Sequence, residues 1–356
     1  MNTLLVTSTD DGIGKTAITL ALARRAKQAG YDVGYMKPKG TRLQSAVGKT
    51  RDEDPMLARE LLDLDAEMHE MEPIVYSPTF IQEAIRSRED PDELREQIVG
   101  NFEDLSEEKD LMIVEGSGDL ATGSIVDLND VDIAEALDAR VLLVSGYESV
   151  ATTDEVLDCA RRIGDRLSGV VFNAVADAKM DELNDDVMPF LDSKDAPVFG
   201  ALPRVQELAG VTIEDLTRSL GCDVLTPDIG MDEHVERFTV GAMGGNSALD
   251  QFRRTRDAVM IAGGDRSEIQ TAALEAAGIK ALLLTGGFRP ASAVLGRAQE
   301  QGVPILLVQS DTRTTIDRVE DLLGSGRTRN EETVDKMGDL LEESVDVERI
   351  LSVDLD

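Results

Sequence analysis

Several residue types are scarce in this sequence, and each scarcity excludes a class of protein. Two cysteines among 356 residues are too few for a disulfide framework. No apolar stretch approaches the ~20 residues of a membrane span. The start, Met1-Asn2-Thr3, leads straight into the apolar run Leu4-Leu5-Val6, without the basic segment of a signal peptide. We therefore expect a soluble protein of the cytoplasm.

Basic residues are also scarce, because 36 lysines and arginines face 70 aspartates and glutamates, which gives a net charge of −34. Such self-repulsion is tolerable where salt screens it, since the Debye length falls to about 3 Å at 1 M salt. The composition thus predicts a halophilic protein from a salt-accumulating cytoplasm. It disfavours a nucleic-acid partner, because like charges repel and aromatic residues make up only 3% of the chain.

In the N-terminal part, short apolar runs alternate with helical stretches. A run such as Leu111-Met112-Ile113-Val114 is typical of a strand covered on both faces of a parallel sheet. Right-handed crossovers then give an α/β fold with a doubly wound, mostly parallel sheet. The strands expected on this basis are 4–7, 32–36, 111–114, 141–144, 169–172 and 198–203, with a helix over 17–29.

A second, smaller α/β unit follows, and two of its strands end in paired glycines. The elements expected in it are strands at 259–264, 281–287 and 305–308 and helices at 267–277, 291–301 and 314–323. The chain length fits two domains, at roughly 100–200 residues each. We place the first domain at 1–215, the second at 216–325 and an acidic C-terminal tail or helix at 326–356.

The stretch STDDGIGKT, Ser8 to Thr16, lies between the first strand and the first helix and ends like a phosphate-binding loop. Backbone N–H groups at a helix N-terminus bind phosphate, and Gly14 lets the backbone approach it closely. Lys15 would reach the β- and γ-phosphates, and the Thr16 hydroxyl would hold Mg²⁺. The plainer interpretation is an accidental Gly-Lys-Thr, since these letters recur at 48–50 without a preceding apolar strand.

This loop resembles that of dethiobiotin synthetases, G-T-D-T-x-V-G-K-T, with Ser8 at the family's first glycine. The resemblance continues in Lys37-Pro38 after the second strand and in the segment 114–118, VEGSG, which is similar to V-E-G-A-G. It implies a P-loop domain with ATP and Mg²⁺ as cofactors. The residues that it implies for nucleotide binding are Thr9, Asp10, Gly12, Ile13, Gly14, Lys15, Thr16, Ala17 and Asn173.

The same resemblance implies that Lys15 and Lys37 are catalytic and that Thr16, Asp54 and Glu115 bind Mg²⁺. These positions agree with the fold, because ligands of a doubly wound sheet sit at the carboxyl ends of its strands. Hard oxygen ligands suit Mg²⁺, and Lys37 could neutralise charge at the γ-phosphate or at a phosphorylated carboxylate.

Plainer interpretations stay open for three of these residues. Lys37 is otherwise a solvated surface lysine, and Asp54 is one acidic residue in an acidic run. Glu115 lies between an apolar strand and a glycine-rich turn, where a carboxylate is costly unless it is used.

The segment after Lys37-Pro38 departs from the family pattern. The family's K-P-V-x-S-G is replaced by KPKGTR over residues 37–42, which is more basic. This argues against dethiobiotin as the product. Lys39 and Arg42 predict either an anionic ligand or salt bridges to the acidic surface.

The second domain resembles the DRTGG domain, which is named for its D-R and T-G-G motifs. Asp265-Arg266 and Thr285-Gly286-Gly287 carry the resemblance, and residues 311–315 fit a D-T-x-x-T pattern. This domain order resembles the N-terminal regulatory part of long phosphotransacetylases. It implies nucleotide sensing or dimerisation, whereas the glycines alone are equally consistent with tight strand–helix turns.

We therefore expect a regulatory protein that binds ATP and Mg²⁺, forms a homo-oligomer through its DRTGG domain and controls acetyl-phosphate, acyl-phosphate or related central metabolism. An ATP-dependent ligase acting on a carboxylate-like substrate is one alternative, and a scaffold with a vestigial nucleotide site is another. Phosphotransacetylase activity is not expected, since no acyltransferase domain follows. The expected partners are a nucleotide and a small anionic substrate or effector, without nucleic acid or membrane.

Overall fold

The computed structural model describes residues 1–41, 43–46, 49–205, 208, 210–226, 229–241, 245–325 and 331–351. The chain forms two compact units, of which the first joins Met1–Arg204 with Arg329–Asp356 and the second is Val205–Thr328. Within the described ranges, no helix is both long enough and apolar enough to span a bilayer.

The regular elements alternate along most of the chain. The strands are β1 (Asn2–Ser8), β2 (Val33–Met36), β3 (Lys39–Gly40), β4 (Leu43–Ala46), β5 (Lys49–Asp52), β6 (Ile74–Val75), β7 (Leu111–Glu115), β8 (Arg140–Ser145), β9 (Leu167–Val175), β10 (Val198–Pro203), β11 (Val211–Thr212), β12 (Asp223–Val224), β13 (His234–Val235), β14 (Arg237–Val240), β15 (Ala258–Gly263), β16 (Ile279–Thr285) and β17 (Ile305–Leu307). The helices are α1 (Lys15–Gln28), α2 (Glu53–Leu62), α3 (Met68–Met71), α4 (Pro78–Ile85), α5 (Pro91–Ser106), α6 (Asp130–Ala136), α7 (Thr152–Ile163), α8 (Asp177–Glu182), α9 (Met188–Asp192), α10 (Ile213–Leu220), α11 (Gly245–Phe252), α12 (Ser267–Leu274), α13 (Ser292–Gln301), α14 (Thr312–Ser325), α15 (Glu331–Ser344) and α16 (Val347–Leu351). Short 3₁₀ turns lie at Ser124–Val126 and Gly164–Arg166, and a π-helical turn lies at Leu183–Val187.

The first unit is built on a six-stranded parallel sheet in the order β10-β9-β8-β1-β7-β2. Strand β1 runs between β7 and β8, with Val6 opposite Glu115 and Ser8 opposite Val144. The chain moves from β1 to one side of the sheet and later to the other, so the strand order reverses at β1. In such sheets, ligands bind at the carboxyl ends of the strands beside the reversal.

Continuous apolar sequence explains the central strands of this sheet. All five residues of β7 are buried, as are the six residues of β1 that follow Asn2. Helix α1 is rich in alanine and leucine, and nine of its 14 residues are buried. The doubly wound α/β class predicted from the sequence is confirmed.

The second unit contains a five-stranded sheet in the order β12-β17-β16-β15-β14, in which only the short edge strand β12 is antiparallel. Helices α11, α12 and α13 pack on one face of this sheet. Helices α10 and α14 pack on the other face. The three apolar runs predicted as strands form its centre, whereas both edge strands were missed because they are short and half polar.

The C-terminal segment packs on the first unit. Helix α15 lies along α1 and buries Val334, Met337 and Leu341. Arg24 and Arg25 form ion pairs with it at 2.8–3.2 Å, to Glu331, Asp335, Asp339 and Glu342. Exposed ion pairs contribute little to stability, so the apolar stripe holds most of the contact. The acidic segment for which we predicted a tail or helix thus contains two helices within residues 331–351.

Replacing Gly200 with alanine should loosen this C-terminal contact. Gly200 has a φ of 152°, and a Cβ there would lie 2.2 Å from the carbonyl oxygen of Ser344 and 2.9 Å from the Cα of Val345. Because backbone atoms cannot rotate away, we expect the free energy of unfolding to fall by about 2–3 kcal/mol. Urea denaturation in molar KCl measures this change.

Gly100→Ala is the matched control, because a Cβ at Gly100 would meet nothing within 4 Å. Gly100 lies inside helix α5, so alanine there should raise stability by up to about 1 kcal/mol. Equal stabilities of the two variants would contradict the proposed clash at Gly200.

Candidate functional site

The loop after β1 has the backbone of an anion-binding site. Gly12 and Gly14 adopt positive φ angles of 73° and 89°, and α1 begins at Lys15 with Gly14 as its N-cap. Since glycine supplies no side-chain cap, the first N–H groups of α1 can bind an anion with the help of the helix dipole. The loop is ordered by its own acids, because Asp11 N donates to Asp10 Oδ1 and Gly12 N donates to Asp11 Oδ1, both at 2.8 Å.

Asn173 reaches this loop from another strand. It lies near the end of β9, and its Nδ2 donates to the carbonyl oxygen of Ile13 at 2.7 Å. The next residue, Ala174, has a φ of 56°, which is unusual for alanine and marks a local distortion of the strand beside the site. Of the other residues predicted for nucleotide binding, Thr9 lies on the loop and Ala17 lies in the first turn of the helix that follows it.

Lys15 is almost buried, and Ser8 takes part in holding it. The Lys15 ammonium donates to the carbonyl oxygen of Gly118 at 2.5 Å and to the Ser8 hydroxyl oxygen at 3.3 Å. The Ser8 hydroxyl lies 2.8 Å from the carbonyl oxygen of Asp10, to which it donates. Burial lowers the pKa of Lys15 below its usual value, and nearby carboxylates offset only part of this shift. The serine that replaces the family's first glycine therefore has a contact of its own, which the sequence did not reveal.

The three residues predicted to bind Mg²⁺ meet beneath the loop. The Thr16 hydroxyl lies 2.6 Å from Glu115 Oε1 and 3.2 Å from Asp54 Oδ2. Thr16 comes from the start of α1, Asp54 from the first turn of α2 and Glu115 from the end of β7. Both carboxylates are essentially inaccessible to solvent. The structure thus brings these hard oxygen donors together from distant parts of the sequence.

Lys37 places its ammonium among the same carboxylates. Its Nζ lies 2.8 Å from Asp52 Oδ2 and 3.8 Å from Glu115 Oε1, and it also contacts Asp54 Oδ2. Only 2% of Lys37 is exposed. This burial excludes the interpretation of Lys37 as a solvated surface lysine.

Asp52 and Tyr35 belong to the site but were missed in the sequence. Asp52 caps α2 by accepting from Asp54 N at 2.9 Å, and the Tyr35 hydroxyl donates to Glu115 Oε2 at 2.8 Å. Burial and the charge of Glu115 raise the pKa of Tyr35 well above its usual value, so it stays a donor. The Asp-x-Asp-Pro text before α2 is a helix-start signal that could have revealed Asp52, whereas nothing marks Tyr35 inside an apolar strand.

Among the side chains that the structure describes, more acids than lysines are buried around this site. They are the three lysines and five acids Lys15, Lys37, Lys39, Asp52, Asp54, Glu72, Glu115 and Asp130. No group of three or more His, Cys, Asp or Glu among the described residues is arranged to hold a metal alone. Mg²⁺ still fits, since it takes one or two carboxylates and completes its shell with water and phosphate oxygens.

Lys39 points into the protein. It is fully buried, and its Nζ donates to the carbonyl oxygens of Thr122 and Leu128 at 2.6 and 2.5 Å. It also pairs with Asp130 Oδ1 at 3.1 Å, while Asp130 Oδ2 accepts from the Thr7 hydroxyl at 2.6 Å. Of the two alternatives for Lys39, a salt bridge is therefore present, although it is buried and not on the surface. Arg42 lies outside the described residues.

Comparisons with known proteins agree with this order of domains. A family model described as AAA domain matches residues 2–212, and the DRTGG domain model matches residues 215–322. The chain is 26% identical over 340 residues to the phosphate acetyltransferase of Pseudomonas putida, covering 90% of this chain and 47% of that relative. It is 31% identical over 180 residues to the ATP-dependent dethiobiotin synthetase BioD of Methanocaldococcus jannaschii, covering 49% of this chain and 80% of that relative.

Among solved structures, the MinD cell division protein of Aquifex aeolicus matches with a TM-score of 0.35 and 17% identity, over 58% of this chain and 84% of its own. The chain spans about half the length of the phosphate acetyltransferases that it matches. The two resemblances predicted from the loop and from the D-R and T-G-G motifs are thus confirmed.

Proposed function

Because the chain belongs to the AAA domain family, with a dethiobiotin-synthetase-like P-loop domain followed by a DRTGG domain, we propose that it is an ATP-binding regulatory protein. Its first domain binds ATP with Mg²⁺ and hydrolyses it slowly. Its DRTGG domain senses a ligand or joins subunits into a homo-oligomer. The similarity to phosphate acetyltransferases supports acetyl phosphate, acyl phosphate or related central metabolism as the regulated process.

One observation carries this proposal. The buried side chains of Thr16, Asp54 and Glu115 are in contact beneath the N-terminus of α1, which has no side-chain cap. Each buried charge costs free energy, and replacing buried ion pairs by apolar groups is often neutral or stabilising. A purely structural role is therefore a poor explanation of so many buried charges at the carboxyl edge of the sheet, and binding of phosphate with Mg²⁺ is a good one.

The remaining residues have separate roles in this proposal. The N–H groups at the start of α1 and the ammonium of Lys15 bind the β- and γ-phosphates. Lys37 places a second positive charge beside the γ-phosphate. Mg²⁺, when bound to the three oxygen ligands, neutralises phosphate charge. Asn173 lies at the loop, where it would contact adenine.

The segment after β2 favours a regulator over a ligase. A ligase must admit a second substrate next to the γ-phosphate. Lys37 pairs with Asp52 and Asp54, and Lys39 pairs with Asp130, so neither lysine of this segment is exposed to solvent. Neither is therefore free to receive the second substrate that a ligase needs.

An ATP-dependent ligase acting on a carboxylate-like substrate is the second candidate. The 31% identity to a dethiobiotin synthetase over 80% of that relative favours it. Lys37 would then stabilise charge on the transferred phosphoryl group. Turnover that requires a second substrate distinguishes a ligase from a regulator. A nucleotide-independent dimer without affinity for ATP would favour a scaffold with a vestigial site.

Lys15→Ala should abolish ATP binding at the P-loop. The variant loses at least two charge-assisted hydrogen bonds to phosphate, each worth about 1.5–3 kcal/mol, so we expect affinity to fall at least about 100-fold. Titration calorimetry with ATP and Mg²⁺ measures this loss. Molar KCl is the appropriate solvent, because we propose that this halophilic chain needs salt to screen its charge of −34.

Lys27→Ala serves as the control, because Lys27 lies in the last turn of the same helix, away from the loop. It should bind ATP as the wild type does. An unchanged number of ATP molecules bound per chain in Lys15→Ala, or no binding by the wild type, would contradict the proposed P-loop site.

A further inference from the structure

In the second unit, three parallel strands end side by side. Gly263 at the end of β15 is opposite Thr285 at the end of β16, which is itself beside β17. The loops that follow are joined, since Gly286 N donates to the carbonyl oxygen of Ser310 at 2.8 Å. The hydroxyl oxygens of Thr285 and Thr312 lie 2.7 Å apart. We call residues 263–266, 285–289 and 309–313 the second edge.

The second edge contains a point where the connections diverge. Helix α13 follows β16 and packs on one face of the sheet, through Val294 and Ala298. Helix α14 follows β17 and packs on the opposite face, through Val319. Adjacent loops that leave a parallel sheet toward opposite faces open a crevice between them, and ligands of α/β sheets bind in such crevices.

Each loop of the second edge contributes one exposed arginine: Arg266, Arg289 and Arg313. In the part of the chain that the structure describes, none of their guanidinium groups has an ion-pair or hydrogen-bond partner, despite the strong excess of acids. Of the two acids on these loops, Asp311 is already engaged, accepting from Thr314 Oγ1 at 2.7 Å and from Arg313 N at 2.9 Å. The second acid on these loops is Asp265. Unpaired arginines around a crevice suit a phosphorylated ligand, which they bind in bidentate fashion.

Beneath the turn at Gly263 and Gly264, the side-chain amide of Gln270 is buried, and its oxygen accepts no hydrogen bond from the described residues. Gln270 is fully buried, and its Nε2 donates to the carbonyl oxygens of Gly263 and Gly264 at 3.0 and 3.1 Å. Since these carbonyls fix the amide orientation, its Oε1 must be the acceptor, and it has no partner among the described residues. An unpaired buried acceptor is costly, so a donor supplied by a ligand or an ordered water would stabilise this turn.

An exposed aromatic ring lies on the same edge. Phe288 is 64% exposed in a chain with only 3% aromatic residues. Its carbonyl oxygen packs so closely against Gly264 that a Cβ there would lie 1.7 Å from it, which fixes the loop. An exposed ring on a backbone held in this way can stack on a nucleic-acid base.

We propose that the second edge binds a nucleotide, with its phosphates on Arg266, Arg289 and Arg313 and its base on Phe288. A hydroxyl or amine of the ligand, or a water that it orders, donates to Gln270. This inference rests on the sensing role proposed above for the DRTGG domain and gives that role a site and a ligand class. The site is separate from the P-loop and uses no Lys15.

The test counts ATP molecules bound per chain, by titration calorimetry of the full chain in molar KCl with Mg²⁺. We expect two in the wild type, one in Lys15→Ala, one in a chain with all three arginines of the second edge replaced by alanine, and none in the combination. The control replaces Arg253, Arg254 and Arg256, which are also exposed but precede β15, and should retain two. Thermal unfolding of each variant confirms that it is folded.

The outcomes separate this inference from the proposed function. If Lys15→Ala binds no ATP while the wild type binds one, the P-loop site stands and the second site is overturned. If the wild type binds one ATP and only the arginine variant loses it, the second site stands and the P-loop proposal fails. Binding that survives in the combined variant overturns the assignment to these arginines.

Phe288→Ala tests the ligand class in the Lys15→Ala background. We expect ATP to bind about tenfold more weakly, because stacking on one ring is lost, and inorganic triphosphate to bind with unchanged affinity. If ATP and inorganic triphosphate bind the parent protein equally well, the site takes phosphate groups without a base, and the nucleotide assignment is overturned.

Discussion

Lys37→Met should lower the free energy of unfolding by about 3–5 kcal/mol, since removing one partner of a buried ion pair leaves an uncompensated charge. Lys37 is 2% exposed, and its ammonium pairs with both Asp52 and Asp54. Methionine nearly preserves the volume, so the loss reports charge and not packing. Urea denaturation in molar KCl without Mg²⁺ gives the value.

Mg²⁺ should restore much of this loss. A divalent cation held by Thr16, Asp54 and Glu115 supplies positive charge where the ammonium was, and a ligand that binds only the folded state stabilises it. We therefore expect millimolar Mg²⁺ to raise the urea midpoint of Lys37→Met more than that of the wild type. This rescue requires no measurement of activity.

Lys336→Met is the control for this pair of experiments. Lys336 is exposed on α15, so its replacement should change stability by less than about 0.5 kcal/mol with or without Mg²⁺. If Lys37→Met proved as stable as the control, the ion pairs of Lys37 with Asp52 and Asp54 would contribute nothing to stability, and the predicted rescue by Mg²⁺ would lose its basis.

Asp130→Asn should be similarly destabilising, by about 3–5 kcal/mol, because it leaves the buried Lys39 ammonium with only carbonyl acceptors. Lys39→Met should also be destabilising, since it leaves Asp130 buried with the Thr7 hydroxyl as its remaining donor. The double variant should be more stable than the sum of the two losses predicts. Urea denaturation of all four proteins gives the coupling energy, and strict additivity would show that the pair does not interact.

The Lys39–Asp130 pair also predicts a pH dependence. Burial lowers the pKa of Lys39 below its usual 10.5, and Asp130 offsets only part of this shift. The unfolded chain therefore holds this proton more tightly than the folded chain does. Stability consequently rises with pH between the folded and unfolded pKa values, and it falls as pH drops through the folded pKa.

In Asp130→Asn, the pKa of Lys39 falls further. The rise in stability should then begin at a lower pH and be larger than in the wild type. Urea midpoints measured from pH 7 to 10 show the difference. Parallel curves for the two proteins would indicate that Asp130 does not set the protonation of Lys39.

Sequence reasoning succeeded where local pattern and spacing carry the information. The apolar runs of β1, β7, β8 and β9 predicted the central strands, because strands buried on both faces need no polar alternation. The loop text located the start of α1, since a glycine-rich turn and a helix N-terminus are both local features. The short strands of the hairpin β4–β5 and the edges of the second sheet were missed, because two to four half-polar residues carry no periodicity.

The contacts within the site depend on long-range packing, which no local pattern encodes. Asp52 joins the site through Lys37, Tyr35 through Glu115 and Asp130 through Thr7, and each of these contacts joins residues that are distant in the sequence. Lys39 illustrates the limit most clearly. Its sequence neighbourhood is basic and suggests an exposed, anion-binding segment, but the fold buries its ammonium against Asp130, which is 91 residues away.

The sequence by itself therefore determined the α/β class, the position of the phosphate-binding loop and the order of the two domains, because each is written in contiguous residues. The tertiary structure decided which charges share a buried site, how Lys37 and Lys39 are neutralised and which arginines surround the second edge. Those decisions depend on the order of strands in each sheet and on the face to which each helix returns, and electrostatic pairing in a buried site follows distance in space and not distance along the chain.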